Sequence, residues 1–207
     1  KRLSILFFFL LFSQLIFAND GYEIKVEVKN YEEEKLILAH YLGQTIYVDD
    51  TARITTNGNF IFKSEENLAA GIYLLVLLPE NTYVEIFVTD EEKNYSVSFN
   101  AADLNKDVKF ENAPDNTLFY SFIAFNAEQR PKMEVLIDTI QKGRAAGKEM
   151  VEEALKLEKL QAELEEFKED IIKKHPDKLA TTILKANRKT EIPTFEGEER
   201  DVRMKEY

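Results

Sequence analysis

The apolar residues of this chain change their spacing near residue 114, and that change constrains the fold more than any other feature. Before it, apolar and polar positions alternate in short runs. After it, apolar residues recur three and four apart. Tyr22, Ile24, Val26 and Val28 are separated by Glu23, Lys25 and Glu27, the period-two pattern of a half-buried strand. The same reading predicts strands over residues 36–41, 45–48, 52–56, 59–63, 72–78, 83–88, 95–99 and 108–110. The run 72–78 is continuously apolar, which predicts a central strand covered on both faces. Asn57-Gly58 between 52–56 and 59–63 predicts a hairpin with a type I′ turn, because both residues tolerate positive φ. Turn signals recur about every ten residues, the spacing of an antiparallel sandwich or barrel.

Past Asn112-Ala113-Pro114-Asp115-Asn116 the period is helical, with Asp115 or Asn116 as the cap. Leu118, Phe122 and Phe125 share one helical face. Met133, Leu136, Ile137 and Ile140 share another, with Pro131 suited to the first turn of a new helix. Gly143 and Gly147 predict a break. Leu157, Leu160, Leu164, Phe167 and Ile171 mark the longest helix, laced by Glu152–Lys156, Glu169–Lys173 and Asp170–Lys174 pairs. His175-Pro176-Asp177 ends it and starts a shorter one carrying Leu179, Ile183 and Leu184. The expected architecture is α+β: an antiparallel β-sandwich-like domain over 20–113, a helical domain over 114–190, and a polar tail over 191–207.

Residues 1–18 read as an export signal. Lys1-Arg2 supplies the positive start, the run from Ile5 to Phe12 the apolar centre, and Ala18 a small residue for cleavage. The stretch falls short of the roughly 20 apolar residues of a spanning helix. The alternative is an uncleaved membrane anchor, favoured by Ile16 at the minus-three position, and membrane association is expected only through it. The expected location is the periplasm or envelope. Loss of Lys1 and Arg2 with the signal takes the formal net charge from −11 to −13. Such an acidic body does not suit nucleic acid, which needs clustered Lys and Arg. The chain begins at Lys1 rather than Met and closes on the polar stretch 201–207, and both ends read as cut from a longer product.

The chain has no Cys and 2 His. That excludes disulfides, a Cys-X-X-Cys redox pair, thiolate zinc sites and a lipidated N-terminal Cys. Gly143-Arg144-Ala145-Ala146-Gly147-Lys148 departs from a phosphate loop: its spacing is one residue short, Glu149 replaces Ser/Thr, and a helix precedes it. The acidic clusters Glu32-Glu33-Glu34, Asp49-Asp50, Asp90-Glu91-Glu92 and Glu165-Glu166 lack the ordered spacing of a calcium loop. His40 reads as a packed polar residue in a strand and His175 as a helix C-cap, without a recognisable Ser or Cys partner. The heptad helix reads as packing within the domain rather than as a coiled-coil dimer. Asn94-Tyr95-Ser96 fits the N-glycosylation pattern. No residue is put forward as catalytic, cofactor-binding or metal-ligating, and no cofactor is expected.

Five segments in this order carry a resemblance: the export signal, Val48-Asp49-Asp50-Thr51-Ala52, Asn57-Gly58-Asn59-Phe60-Ile61-Phe62, Phe110-Glu111-Asn112-Ala113-Pro114-Asp115-Asn116 leading to helices, and His175-Pro176-Asp177. Over about residues 20–190 this resembles the N-terminal region of exported thioredoxin-like (TlpA-like) thiol–disulfide oxidoreductases of Gram-negative bacteria. The resemblance implies a β-domain and helical segment preceding a C-terminal thioredoxin fold. That fold would lie beyond residue 207 and carry the Cys-X-X-Cys, which no position here matches. Two functions are expected: a non-catalytic accessory region that positions or recruits a protein partner for such a domain, or a stand-alone binding module for peptide or glycan. A hydrolase built on acidic residues is the weakest alternative.

Overall fold

The computed structural model describes residues 21–186. The expected export signal over 1–18, the expected turn near Pro193 and the polar tail lie outside the described residues. The fold is α+β. Among the described residues eight strands come first: β1 (Tyr22–Lys29), β2 (Lys35–Leu42), β3 (Thr45–Arg53), β4 (Asn59–Ser64), β5 (Gly71–Leu77), β6 (Thr82–Val88), β7 (Asn94–Asn100) and β8 (Lys109–Glu111). Three helices follow: α1 (Pro114–Ala145), α2 (Val151–Lys174) and α3 (Leu179–Ala186). One sheet has the order β4-β1-β7-β8 and the other β3-β2-β5-β6. All pairs are antiparallel except β1 with β7. These two strands are far apart in sequence, so no tight turn forces opposite directions on them.

The inner faces of the two sheets share one core. Ile24, Val26, Phe60, Phe62, Val97 and Phe99 come from the first sheet. Leu36, Leu38, Leu75, Leu77, Val84 and Ile86 come from the second. The alternation read from Tyr22 to Val28 is present: Tyr22, Ile24 and Val26 are buried, and Glu23, Lys25 and Glu27 face solvent. Truncating one of the fully buried phenylalanines to Ala costs about 3–5 kcal/mol, since its contacts and its transfer energy go together. β5 is buried on both faces from Tyr73 to Leu77. Tyr73, Leu75 and Leu77 join the inner core, while Leu74 and Val76 form a second cluster with Ala39 on the outer face.

Three local expectations are corrected. First, 45–48 and 52–56 are not two strands. β3 runs unbroken from Thr45 to Arg53, because a bulge absorbs Asp49: Leu38 pairs with Asp50 and Ala39 with Val48, and residues 54–56 lie beyond the strand. Second, the Asn57-Gly58 turn joins strands of different sheets, since β3 pairs with β2 and β4 with β1. Gly58 has φ 78°, but Asn57 is not in the left-handed region, so the turn is not type I′. It is closed by Gly58 N–H to the Thr55 carbonyl at 2.9 Å and Thr55 N–H to the Asn59 carbonyl at 2.8 Å. Third, Pro131 lies inside α1 instead of opening a new helix. A 32-residue helix can lose the one backbone hydrogen bond a proline forbids.

The secondary structure changes between Glu111 and Pro114, but the first compact unit does not end there. It includes the start of α1 and runs to Pro131. In the second unit, α1 passes through Gly143 and stops at a Schellman turn. Gly147 has φ 72°, and the amides of Gly147 and Lys148 each donate at 3.0 Å, to the carbonyls of Arg144 and Gly143. A Cβ at Gly143 would collide with the Met150 side chain. The expected heptad face of α2 is half-buried at Leu157, Leu160, Leu164 and Phe167 and buried at Ile171. Lys156–Glu152 and Lys174–Asp170 close at 2.7 and 3.0 Å.

Candidate functional site

Two places bring polar side chains together with a purpose beyond solvation. One is the exposed end of the β2–β3 hairpin. The other is the buried junction of β6, β7 and α1.

The hairpin turns on Gly43-Gln44. Gly43 has φ 64°, as the first central residue of a type II′ turn requires. The bulge at Asp49 then re-aims one carboxylate across the pair. His40 Nδ1 lies 2.9 Å from Asp49 Oδ1 and 2.8 Å from Oδ2. The imidazole stacks on Tyr47, with ring centres 5.8 Å apart, and meets Tyr73 edge-on at 6.0 Å. Burial raises the Tyr22 hydroxyl above its ordinary value, and the carboxylates of Asp50 and Asp49 raise it further. Tyr73 is raised by burial and then by Asp49. His40, Asp49, Tyr47 and Tyr73 therefore form one cluster, assembled from three strands that sequence spacing does not connect. Among the described residues the His40 ring meets Asp49, Tyr47 and Tyr73 and no serine hydroxyl.

Around this pair the hairpin presents apolar side chains to solvent. Tyr41, Leu42, Ile46, Tyr47 and Val48 are 43–66% exposed. Tyr41 donates to Tyr83 at 3.4 Å, the two rings packed edge to face. The outer face of the other sheet differs. It carries Lys25, Glu27, Ser96, Ser98, Lys109 and Glu111 around a shallow polar depression.

The junction depends on Asn116, which is fully buried. Its Oδ1 accepts from the Phe87 N–H at 2.8 Å and its Nδ2 donates to the Phe87 carbonyl at 2.9 Å. One side-chain amide thus pairs with the edge of β6 as a neighbouring strand would. Tyr95 donates to the same carbonyl at 3.0 Å, and Tyr120 donates to the Glu85 carbonyl at 2.9 Å. Burial holds both phenols well above the ordinary tyrosine range. Phe119 packs on Phe87 with ring centres 4.9 Å apart. Glu92 caps α1 from outside the helix: the Asp115 N–H donates to its Oε1 at 2.6 Å. This satisfies one of the free amides of a helix start and sets a carboxylate at the positive end of the dipole. Desolvation nevertheless raises the Glu92 carboxyl above its ordinary value, and the Asp115 charge adds to it.

The remaining sequence candidates are dispersed. Glu32-Glu33-Glu34 lies in the exposed β1–β2 connection. Asp90-Glu91-Glu92 lies in the β6–β7 turn, and of these three acids Glu92 is buried. Glu165 pairs with Lys168 at 2.7 Å. Among the described residues, no group of three His, Asp or Glu is placed to hold a metal ion. Gly143–Lys148 sits at the carbonyl end of α1, where the dipole is negative and repels phosphate. His175 caps α2 through its backbone N–H to the Ile171 carbonyl, and Thr181 bonds its carbonyl at 2.7 Å. Asn94 and Ser96 lie on β7 with Tyr95 buried between them. Among the described residues, no helix is long and apolar enough to cross a membrane.

Residues 22–119 match a family described as "Domain of unknown function (DUF4369)". The match spans the whole β-sandwich and the first turns of α1. No curated protein and no solved structure matches the chain.

Proposed function

We propose, taking a DUF4369 domain at residues 22–119 as the premise, that this chain is a non-catalytic, exported accessory region of a thioredoxin-like thiol–disulfide oxidoreductase, and that it positions or recruits a protein partner for the redox domain. The observation that carries this reading is the exposed apolar tip of the β2–β3 hairpin on a domain without cysteine. Contiguous exposed apolar surface marks interaction sites in proteins of this size, and a chain without thiols takes no direct part in thiol exchange. The signal-like residues 1–18 support export. The resemblance over Val48–Ala52 and Phe110–Asn116 supports the thioredoxin-like parent. Within this reading the His40–Asp49 pair has a structural role, holding the bulge that presents Tyr47 and Val48.

The gene itself tests the parentage. Reading its frame past Tyr207 is expected to reveal a strand, a Cys-X-X-Cys and a helix in that order. A stop codon near residue 207 favours the second reading instead, a stand-alone periplasmic or cell-surface module that binds peptide or glycan through the same aromatic surface of Tyr41, Tyr47 and Tyr83. Any other sequence after Tyr207 contradicts the proposed parentage.

A further inference from the structure

We propose that β3 is a docking edge which takes up an extended, basic and apolar polypeptide segment as an added strand. This deepens the reading above by naming the partner's chemistry.

Two four-stranded sheets have four edges, and three of them are blunted. β8 has only three residues and carries Lys109 and Glu111. β4 turns Lys63 outward, paired with Glu23 at 2.6 Å, and exposes one large apolar side chain, Ile61. β6 is closed by side chains: Asn116 occupies both backbone groups of Phe87, and Tyr120 occupies the Glu85 carbonyl. Short length, lysines and covering groups are the usual protections of a sheet edge.

β3 has none of these over its first half. It is nine residues long, and among the described residues it pairs with β2 alone. The hairpin register shows which backbone groups are free. A two-residue loop makes Leu42 and Thr45 a hydrogen-bonded pair, so the bonded pairs alternate along the ladder to His40 with Tyr47. Ile46 and Val48 then direct their N–H and carbonyl groups away from the sheet. Their side chains are exposed too, at 47% and 62%. Free backbone groups flanked by apolar side chains complement an extended peptide more closely than a helix or a small molecule.

Charge indicates what that peptide carries. Asp50 and the His40-paired Asp49 follow the apolar stretch, and at the far end of β3, where the Glu34 carbonyl accepts from the Ile54 N–H at 2.9 Å, the exposed acids Glu32, Glu33 and Glu34 outnumber the facing cations Lys35 and Arg53. The chain as a whole bears a formal −11. A second copy would bring that charge against itself, whereas a segment with Lys or Arg beside its apolar residues meets opposite charge.

The test uses the full chain and a fluorescein-labelled decapeptide of alternating valine and lysine, with a valine–glutamate decapeptide as the control. Saturable binding of the lysine peptide is expected, with the glutamate peptide at least about tenfold weaker. On saturation, the Ile46 and Val48 amides should exchange at least about tenfold more slowly. Val48→Pro removes an outward N–H that β2 does not use, so the fold tolerates it, and Val48→Lys installs an edge lysine without touching the backbone. Either substitution is expected to weaken binding at least about tenfold. Equal binding of the two peptides, unchanged exchange at Ile46 and Val48, or unchanged binding by both variants would overturn the proposal. So would a dimer in sedimentation that Val48→Lys abolishes, since it would assign the edge to a second copy. A Cys-X-X-Cys found past Tyr207 with no peptide bound removes the docking edge and leaves the accessory role. Binding at the edge with a stop codon near residue 207 does the reverse.

Discussion

Asn116 shows how much one side chain can contribute when it replaces a strand. Its amide closes both backbone groups of Phe87 in a buried site. Asn116→Ala leaves a buried N–H unpaired and weakens the hold on the Phe87 carbonyl. The expected cost is about 2–4 kcal/mol, read as a lower urea midpoint. Glu92 gives a pH signature. Its ordinary carboxyl value is 4.5, and burial raises it in the folded protein. Below 4.5 the folded and unfolded chains both hold the proton. As pH rises past 4.5 the unfolded chain releases it first, so stability falls until the raised value is passed. Glu92→Gln cannot titrate, so its urea midpoint should drop less between pH 4.5 and 7 than that of the parent protein. An equal drop would remove Glu92 as the cause. Neither role was legible in the sequence. In sequence Asn116 has the form of a local cap, and Glu92 is one of three consecutive acids. Both act on residues more than twenty positions away, and local pattern carries no such information.

At the scale of elements the sequence was more explicit. Alternation placed the strands, and the apolar run at 72–78 identified a strand buried on both faces, because each reflects which faces water must leave. Two elements were misread for specific reasons. Asp49-Asp50 has the composition of a break, but a bulge carries β3 through it. Pro131 has the residue type of a helix start, but α1 continues past it. There it withholds the backbone hydrogen bond that residue 131 would give to Ala127. Pro131→Ala is expected to stabilise the protein by about 1–3 kcal/mol, seen as a higher midpoint when the helical circular dichroism signal is melted. A lower midpoint would show that the proline has a structural role in α1. The open edge at β3 was partly legible, since Ile46, Tyr47 and Val48 stand together without a charge. Their exposure was not, because alternation cannot tell an edge strand from an internal one.

At the scale of the whole molecule, the β-domain has a polar outer face on one sheet and an apolar rim on the other, with the strand edges closed on three sides. This asymmetry suits a domain that holds a partner for chemistry performed elsewhere. Export is the first consequence to check. Amino-terminal sequencing of the protein recovered from the periplasm is expected to start at Asn19, after cleavage at Ala18, whereas a start within residues 1–18 would leave the apolar segment as an anchor. The central claim is recruitment, and it is tested most directly by steady-state thiol–disulfide exchange of the full-length parent, with and without residues 20–131, the whole first compact unit. If the domain recruits, deletion raises KM for a protein disulfide while kcat, and turnover of a small-molecule disulfide, stay as they were. Unchanged kinetics toward the protein disulfide, or an equal loss toward both substrates, would contradict it.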